Sequence, residues 1–407
     1  MHTNTDLPPA AGNAERYRVI FAGICSLILT VGLARFAYTP MLPIMRNEVG
    51  LSWLAGGWLA TVNYAGYMAG ALIAATISDL RRKFVLYRIG LVVAVASTAG
   101  MGLTDNVTLW GILRFVSGLS SVAGLLLSSG LILNWLMRQG HWPQLGLHFT
   151  GLGLGIVVSG LAVAETVGRL SWAHQWLGMG LLGLAFLVPA WRWLPPPAAH
   201  LIGGIGKAAP VPSRRWIRLL IGAYFCAGFG YVVSATFIVA ILAKLPVFAD
   251  VGGWVWVIVG LAAIPSSFVW DRIAGAFGQI RALLLGYGLQ AISIFIPACT
   301  GSPYFNLLSA ILYGGTFVGI VSLTLSLIGR FFPENPAKAM ARLTLSYGAA
   351  QIVAPAMAGY IATATGSYRG ALIIAGVVMG VGLLLLTALP VDESLPVKRK
   401  TDDKQIA

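Results

Sequence analysis

The sequence predicts an all-α membrane protein with twelve transmembrane helices, arranged as two pseudo-symmetric six-helix halves. The first observation is compositional: the 407 residues are 57% hydrophobic and only 10% charged, with a mean hydropathy of +0.82, whereas soluble domains contain about 25% charged residues. The second is that apolar residues recur in runs of about 20, the length of a helix that crosses a bilayer. These runs lack the alternation of membrane β-strands, and a helix pairs its own backbone groups in lipid. Soluble enzymes, nucleic-acid-binding proteins and secreted disulfide-rich modules are therefore excluded.

Twelve apolar runs can be marked along the chain, and one longer connection divides them into six and six. The first half, residues 19–194, contains the runs 19–45, 54–77, 84–103, 107–137, 143–167 and 172–194. The second half, residues 216–389, contains the runs 216–242, 254–269, 282–299, 304–332, 340–365 and 368–389. Residues 195–215, rich in Pro, Gly and Ala, are predicted to form a flexible cytoplasmic linker. Residues 1–18 and 390–407 are predicted to be cytoplasmic tails.

The basic residues are distributed unevenly between the two ends of these runs. The formal net charge is +14, from 27 Lys and Arg against 13 Asp and Glu. When successive runs alternate in direction, 21 of the 27 basic residues fall on one side, which we call the basic face. The opposite face receives Arg46, Arg169, Lys244 and Arg369, and two more, Arg35 and Arg114, fall inside runs. Because an excess of Lys and Arg marks the cytoplasmic side, both termini are predicted to be cytoplasmic.

The two halves repeat short patterns at nearly one offset. The segment 32–40, Gly-Leu-Ala-Arg-Phe-Ala-Tyr-Thr-Pro, lies 196 residues before the segment 228–236, Gly-Phe-Gly-Tyr-Val-Val-Ser-Ala-Thr, and each falls in the first run of its half. Asp79 lies 192 residues before Asp271, each in the connection between the second and third runs of its half. The repetition favours an internal duplication, and duplicated bundles around a central site are a common design of secondary transporters.

Further motifs stand at corresponding places in this order of runs. The connection 79–83 reads Asp-Leu-Arg-Arg-Lys, and its counterpart begins Asp271-Arg272. The fourth run contains Arg114-Phe-Val-Ser-Gly118, and the fifth contains Gly151-Leu-Gly-Leu-Gly155. In this order they resemble the motifs of the major facilitator superfamily, although Ala75 and Leu80 depart from the first gating motif.

The first two runs carry a more specific pattern. Arg35-Phe-Ala-Tyr-Thr-Pro40 together with Asn63-Tyr-Ala-Gly-Tyr67 is similar to the YbfB/YjiJ-type bacterial branch of that superfamily. The resemblance covers about residues 19–389 and implies the major facilitator fold and solute transport by alternating access. It also implies that the acidic and basic residues of the two connections act as gating latches, either between the halves or onto helix ends: Asp79, Arg81, Arg82, Lys83, Asp271 and Arg272. The alternative is that these residues form solvated turns.

Two arginines lie at membrane depth. Arg35 comes 16 residues into the first run, about 24 Å along a helix, and Arg114 comes seven residues into the fourth. A guanidinium at this depth costs about 2.5–3.5 kcal/mol, so each is expected to face protein or a water-filled cavity. For Arg114 an equal alternative is hydrogen bonding to carbonyl groups of a neighbouring helix. For Arg35, the nearby Phe36, Tyr38 and Pro40 favour a role in substrate binding or gating.

No Asp or Glu lies near the middle of any run, so a central cavity with two guanidinium groups should favour an anionic solute. The alternative is that Glu165, near the outer end of the fifth run, neutralises one arginine. The predicted substrate-binding residues are Arg35, Tyr38, Asn63, Tyr67, Arg114, Tyr231, Thr236, Tyr313 and Gln351. Tyr64, Ser117, Ser121, Ser234, Thr316 and Tyr347 are further candidates for the cavity lining, and each is equally able to bond one helix to another.

Proton coupling requires a group that titrates near the working pH. Glu165 is one candidate if it is buried, and His148 in the fifth run is the other. The alternatives are a solvated helix end for Glu165 and a packed, satisfied side chain for His148.

The sequence therefore predicts a monomeric secondary active transporter for a small organic solute, possibly anionic and proton-coupled. A drug or metabolite efflux antiporter and a membrane sensor that binds without transport are the alternatives. No nucleotide-binding loop, catalytic constellation or metal-ligand spacing is present in the sequence, so no enzyme activity, cofactor or nucleic-acid partner is expected.

Overall fold

The computed structural model describes residues 12–139, 141, 145–197, 212–248, 252–331 and 336–389, and these residues form helices and their connections. In chain order the long helical segments of this part are α1 Asn13–Val49, α2 Trp53–Thr76, α3 Leu80–Leu103, α4 Val107–Arg138, α5 Gly146–Ala164, α6 Trp172–Trp193, α7 Arg214–Leu242, α8 Gly252–Phe277, α9 Gln279–Cys299, α10 Pro303–Phe331, α11 Pro336–Thr365 and α12 Arg369–Thr387. The prediction of twelve helices in two groups of six is confirmed. The C-terminal tail and most of the linker lie outside the described residues.

Ten of these segments are long and apolar enough to cross a membrane, among the residues that the structure describes. The other two are α2 and α11, whose sequences include Asn63, Tyr64, Tyr67, Tyr347 and Gln351. These two helices pack against each other across the two halves. The two helices of lower hydropathy are therefore those that contact each other between the halves.

The helix α1 differs from the prediction in its start and in its middle. It begins at Asn13, before the predicted start at residue 19. Hydropathy did not reveal this start because the first turns of the helix are polar and exposed. Its middle, Ile28–Phe36, is π-helical, with the Ala37 backbone N–H donating to the Gly32 carbonyl. Pro40 follows this segment and cannot donate a backbone hydrogen bond, so carbonyl groups near Arg35 are left without helical partners.

One helix crossing occurs in each half, at positions related by the offset found in the sequence. A methyl group on Gly118 of α4 would overlap the carbonyl oxygen of Asn63 in α2. In the second half, a methyl group on Gly314 of α10 would overlap the carbonyl oxygen of Val259 in α8. Gly118 and Gly314 are 196 residues apart, and so are Asn63 and Val259. The pseudo-symmetry therefore extends to individual backbone contacts.

The halves meet through α2 with α11, α5 with α8, and the second part of α1 with α7. Small residues bring these backbones together, as where a methyl group on Gly57 would lie 2.5 Å from the Pro355 carbonyl oxygen. The Thr61 hydroxyl donates to the Ile352 carbonyl at 2.9 Å, and the Thr39 hydroxyl donates to the Ala235 carbonyl. The contacts of Thr39, Gly57 and Thr61 lie on the parts of the helices that are remote from the basic face. The helices α5 and α8 also approach each other near the basic face, where a methyl group on Gly146 would lie 3.1 Å from the Phe268 ring.

Candidate functional site

The Arg35 side chain lies at the centre of the molecule, on the π-helical segment of α1, and is only 5% exposed. Its guanidinium carbon is 4.4 Å from the ring centre of Tyr64 and 4.8 Å from that of Tyr67, both on α2. The ring of Phe36 is 5.7 Å away. Among the described residues, no carboxylate oxygen lies within ion-pair distance of this group, and its Nε has no hydrogen-bond partner. Arg35 is thus a buried cation stabilised by aromatic faces rather than by an anion.

Arg114 is used differently, although it is equally buried. From α4, its terminal nitrogens donate to the carbonyl of Ala34 at 3.1 Å and to the carbonyl of Arg35 at 3.4 and 3.5 Å. The ring of Tyr38 lies 4.5 Å from its guanidinium carbon. The structure therefore shows the alternative given for this residue, because Arg114 bonds backbone carbonyl groups of a neighbouring helix. It holds the π-helical segment and so orients Arg35.

Three further hydroxyl and amide groups complete this bracing between α1, α2 and α4. Ser117 donates to the Ala34 carbonyl at 2.6 Å, and Ser121 donates to the Thr30 carbonyl at 3.0 Å. The Asn63 amide donates to the Arg114 carbonyl at 2.8 Å, and its Oδ1 is buried without a partner. Asn63 was predicted to bind substrate, but its side-chain nitrogen forms this hydrogen bond to α4 and so helps to position that helix.

The second half contributes a cluster of aromatic rings. Tyr231 of α7 has ring-centre distances of 5.3 Å to Phe317, 5.7 Å to Tyr347 and 6.3 Å to Tyr313. The Tyr313 hydroxyl donates to the Tyr231 carbonyl at 3.2 Å. Tyr231 also lies within electrostatic range of Arg35. Phenol rings from the second half thus approach the guanidinium supplied by the first.

The structure brings together Arg35, Tyr67, Tyr231 and Tyr313 of the predicted substrate-binding set, whereas Tyr38 lies with Arg114. The Tyr38 hydroxyl donates to the Gly56 carbonyl at 2.9 Å. Thr236 and Gln351 are buried. Of the rings in contact with Arg35, that of Tyr64 is the nearest, although the sequence predicted Tyr64 only as a residue of the cavity lining. Its position directly after Asn63 was the sequence signal that could have indicated a closer role. Phe317 was not predicted, because an apolar aromatic residue in an apolar run carries no distinguishing signal.

A groove of about 450 Å³ lies between α2 and α11, but its lining residues do not include Arg35. Trp58 and Tyr360, which are exposed at this groove, face the membrane side of the helix pair. This groove is therefore separate from Arg35, against which the rings of Tyr64 and Tyr67 lie.

The two candidates for proton coupling lie in different environments. Glu165 is exposed at the C-terminal end of α5, so the condition that it be buried is not met, and the solvated helix end is the correct description. It forms no ion pair with Arg35 or Arg114 among the described residues. His148 is fully buried, with its Nε2 2.9 Å from the Ser129 hydroxyl and its Nδ1 without a partner.

The predicted gating residues lie at the basic face. Asp79 accepts a hydrogen bond from the Arg81 backbone N–H at 3.0 Å as the N-cap of α3, and its other oxygen is 3.7 Å from Arg82 Nε. Asp79 therefore caps its own helix from an exposed position, an arrangement that is compatible with the solvated-turn alternative as well as with the latch. Lys83 follows in the first turn of the same helix. Asp271 and Arg272 are exposed near the end of α8.

An arrangement that the sequence did not predict joins the halves at the opposite face. The ring centre of Trp53 is 3.1 Å from the Arg46 guanidinium carbon and 4.7 Å from the Lys244 Nζ. Lys244 also donates to the Gly366 carbonyl at 2.8 Å, and Tyr368 packs edge-on against Trp53 at 4.8 Å. Partial burial and the positive charge of Arg46 lower the pKa of Lys244. We call Arg46, Trp53, Lys244 and Tyr368 the cation–π clasp.

A family model described as "Uncharacterised MFS-type transporter YbfB" matches residues 27–387, which include the helices, the arginines and the aromatic cluster. The chain belongs to this YbfB-type family of the major facilitator superfamily. The resemblance noted in the sequence is thereby confirmed, and the protein is a multi-pass membrane transporter of this family.

Three relatives of this YbfB-type chain have transporter names. The uncharacterised MFS-type transporter YceJ of Bacillus subtilis is 24% identical over 66% of this chain and 70% of its own length. The probable sulfoacetate transporter SauU of Cupriavidus necator is 22% identical over 90% and 92%. The gallate transporter of Pseudomonas putida is 27% identical over 47% of this chain and 42% of its own length.

Solved structures of the superfamily share the fold. The nucleoside transporter NupG superposes with a TM-score of 0.71 at 13% identity, covering 92% of this chain and 98% of its own. A bacterial homologue of the human lysosomal transporter Spinster, inward-facing and occupied, superposes with a TM-score of 0.69 at 15% identity, covering 93% and 97%. At these identities the likeness establishes the major facilitator fold alone.

Proposed function

We propose that this YbfB-type chain is a secondary active transporter for a small organic anion. The observation that carries the proposal is the Arg35 guanidinium, buried among Tyr64 and Tyr67 with no carboxylate within ion-pair distance in the described part of the chain. A buried, uncompensated cation is costly, and binding of an anion offsets that cost through charge-assisted hydrogen bonds. Arg114 does not compete for this anion, because its donors are directed at the carbonyl groups of α1.

The names of two relatives support an anionic solute. Gallate carries a carboxylate, and sulfoacetate carries a carboxylate and a sulfonate. A planar carboxylate, which both solutes carry, is a group that a guanidinium binds with two parallel hydrogen bonds. The phenol rings around Arg35 supply additional donors and apolar faces for the remainder of such a solute.

Alternating access assigns roles to the two faces. By the positive-inside rule the basic face is cytoplasmic, which makes the cation–π clasp the outer gate and the present conformation closed to the outside. Opening to the outside separates α2 from α11 and Trp53 from Lys244. The protein acts as a monomer in the bacterial inner membrane, driven by an ion gradient, most simply protons.

The substrate class is tested by counterflow in proteoliposomes with gallate, sulfoacetate, benzoate, a neutral nucleoside and an organic cation. Exchange of at least one anion, and not of the cation, is expected. Arg35→Gln should abolish this exchange, while Arg215→Gln, which removes an exposed arginine at the basic face, should leave it intact. Exchange of cations in preference to anions, or full activity of Arg35→Gln, contradicts the proposal.

Proton coupling is tested separately on the same vesicles. We propose His148 as the coupling group, since it is buried and has an unpartnered ring nitrogen. His148→Asn should then uncouple substrate movement from proton movement, and Glu165→Gln should not, because Glu165 is exposed. A pH dependence that is unchanged in both variants removes both residues as carriers without affecting the anion proposal.

A further inference from the structure

The cation–π clasp holds two cations against one aromatic ring. The Arg46 guanidinium carbon and the Lys244 Nζ lie 3.1 and 4.7 Å from the ring centre of Trp53, so the two cations are no farther apart than these two distances added together. Arg46 belongs to the end of α1 in the first half, and Lys244 follows the end of α7 in the second. Like charges at such a separation repel each other, so contact between the halves at this ring favours a counterion.

The described part of the chain supplies no such counterion. None of its carboxylates lies within ion-pair distance of Arg46 or Lys244. Glu48, two residues after Arg46, instead accepts a hydrogen bond from the Trp172 backbone N–H at 2.9 Å, at the start of α6. Lys244 donates to the Gly366 carbonyl at 2.8 Å, which is a neutral acceptor. The two charges are therefore compensated by a ring face and a carbonyl dipole rather than by an anion.

Two donor groups of the clasp are buried without a partner. They are the Nε of Arg46 and the hydroxyl of Tyr368, whose side chain is only 2% exposed and packs edge-on against Trp53. Tyr368 is also the N-cap residue of α12 and forms no side-chain capping bond, so the positive end of that helix lies beside the clasp. A buried donor without a partner is costly, and a ligand with acceptor oxygens satisfies it.

The clasp combines a buried base with an exposed rim. Tyr368 stacks on the ring of Phe237 at a ring-centre distance of 4.3 Å, and Phe237, on α7, is fully buried. Lys244 is exposed at the opposite end of the bundle from the basic face. A small ion therefore reaches the two cations from water at this face, while the aromatic rings beneath them hold the site in shape.

We propose that the cation–π clasp is a binding site for a small oxyanion, held between Arg46 and Lys244 with the Tyr368 hydroxyl as a further donor. An oxyanion has several acceptor oxygens, so it accepts hydrogen bonds from a guanidinium, an ammonium and a phenol together. The bound anion also offsets the repulsion between the two cations, so anion binding and contact between the halves at the clasp favour each other. The site is separate from Arg35 and does not depend on which solute is transported.

The proposal is tested by thermal shift of the full chain in a neutral detergent, with sulfate as the probe and chloride at equal ionic strength as the reference. Sulfate should raise the melting temperature with a saturable concentration dependence, because a ligand that binds the folded state stabilises it. The general stabilising effect of sulfate on proteins is common to all variants.

The variants locate the bound sulfate. Lys244→Gln and Arg46→Gln should each lower the apparent affinity about fivefold, the factor that corresponds to about 1 kcal/mol for an exposed ion pair. Lys244→Arg keeps the charge and should retain the affinity. Arg169→Gln is the matched control, because it removes an exposed arginine from the same face outside the clasp. The melting temperature of each variant without sulfate separates loss of binding from loss of folding.

Four outcomes overturn the proposal. Loss of sulfate affinity in Arg35→Gln locates the anion at Arg35 and leaves the transport proposal standing, whereas unchanged affinity in that variant supports the clasp. Equal loss in Arg169→Gln indicates general charge attraction. Displacement of sulfate by phosphatidylglycerol at similar concentration indicates a site for a lipid headgroup. Asp250, six residues after Lys244, lies outside the described residues, and a marked gain of affinity in Asp250→Asn shows that a carboxylate of the chain already occupies the site.

Discussion

The two halves share a backbone frame but differ at the positions that matter for charge. At the common offset of 196 residues, Arg35 corresponds to Tyr231 and Arg114 corresponds to Ala310. One hydrogen bond between neutral groups joins the corresponding helices in both halves. The Ser117 hydroxyl donates to the Ala34 carbonyl in the first half, and the Tyr313 hydroxyl donates to the Tyr231 carbonyl in the second. The first half thus supplies cationic groups and the second supplies aromatic rings.

This difference shows how a duplicated frame acquires an asymmetric site. The helix crossing at Gly118 and at Gly314 is the same, so the frame does not depend on the arginines. The first half adds a π-helical segment in α1, whereas the corresponding α7 is α-helical over Arg214–Leu242. The carbonyl groups of that segment accept the donors of Arg114 and allow a second guanidinium to be held at membrane depth.

The largest effect is expected when the site is made symmetric. Arg35→Tyr gives the first half the residue of the second and removes the cation that we assign to substrate binding. Transport of the anion should fall by at least about 30-fold, the lower range for removing one partner of a buried charge pair. Initial rates in proteoliposomes measure this, with Arg215→Gln, which removes an exposed arginine outside the site, as the control. Anion transport unchanged by Arg35→Tyr contradicts the assignment.

The next largest effect concerns stability rather than binding. Arg114→Ala gives α4 the residue that α10 has at this position. It removes the donors to the Arg35 carbonyl, while the Ala34 carbonyl keeps the hydrogen bond from Ser117. Each buried group without a partner costs about 1–3 kcal/mol, so the melting temperature in detergent should fall. Ser117→Ala, which removes one donor, should cost less. If Arg114→Ala is as stable as the parent protein, the bracing role is wrong.

An equal effect in both halves is expected at the shared crossing. Gly118→Ala and Gly314→Ala each force a methyl group against a carbonyl oxygen and should destabilise the protein by about 1–3 kcal/mol. Gly111→Ala and Gly315→Ala are matched controls on the same two helices, because nothing lies within 4 Å of the added methyl group. Melting curves of the four variants test the frame. A clear difference between Gly118→Ala and Gly314→Ala indicates that the crossing is not equivalent in the two halves.

The smallest effect is expected at the cation–π clasp, where Lys244 of the second half reaches Trp53 of the first. A cation–π contact at a partly exposed site contributes about 0.5–1 kcal/mol. Lys244→Gln should therefore leave folding intact and raise the reaction rate of a single engineered cysteine beneath the clasp with a membrane-impermeant thiol reagent. A reduced rate, or no change, shows that the clasp does not hold the outer face closed.

The same clasp has an expected pH dependence. The attraction of Lys244 for the Trp53 ring requires the protonated amine, so it is present at low pH and is lost as the pH rises through the Lys244 pKa. Since burial and Arg46 lower that pKa, the loss should begin below the usual lysine range. Cysteine accessibility measured as a function of pH follows it, and Lys244→Gln should abolish the pH dependence of that accessibility.

The helices could be predicted from the sequence because hydropathy over about 20 residues determines membrane insertion. The predicted runs at α2 and α11 are correct although both contain tyrosine and amide side chains. The two arginines could be placed at membrane depth for the same reason. What they bind could not be predicted, because the partners of Arg114 are backbone carbonyl groups on α1, 79 and 80 residues away in sequence.

Other parts of the site depend on packing that a linear pattern does not contain. Glu165 was a coupling candidate because it is the acidic residue nearest to a run centre, but the α5 helix ends before it and leaves it exposed. The clasp was not predicted because Arg46, Trp53 and Lys244 come from three helix ends in two halves. Each has an ordinary interfacial role when viewed alone.

The π-helical segment of α1 affects the direction in which the Arg35 guanidinium points. Each residue in a regular α-helix advances by about 100° around the axis. If the wide turn migrates by one position along α1, the residues that it passes rotate by about that angle relative to both helix ends. Thr39 remains tied to Ala235 beyond the segment. The guanidinium of Arg35 then swings between two directions while the ends of its helix stay where they are.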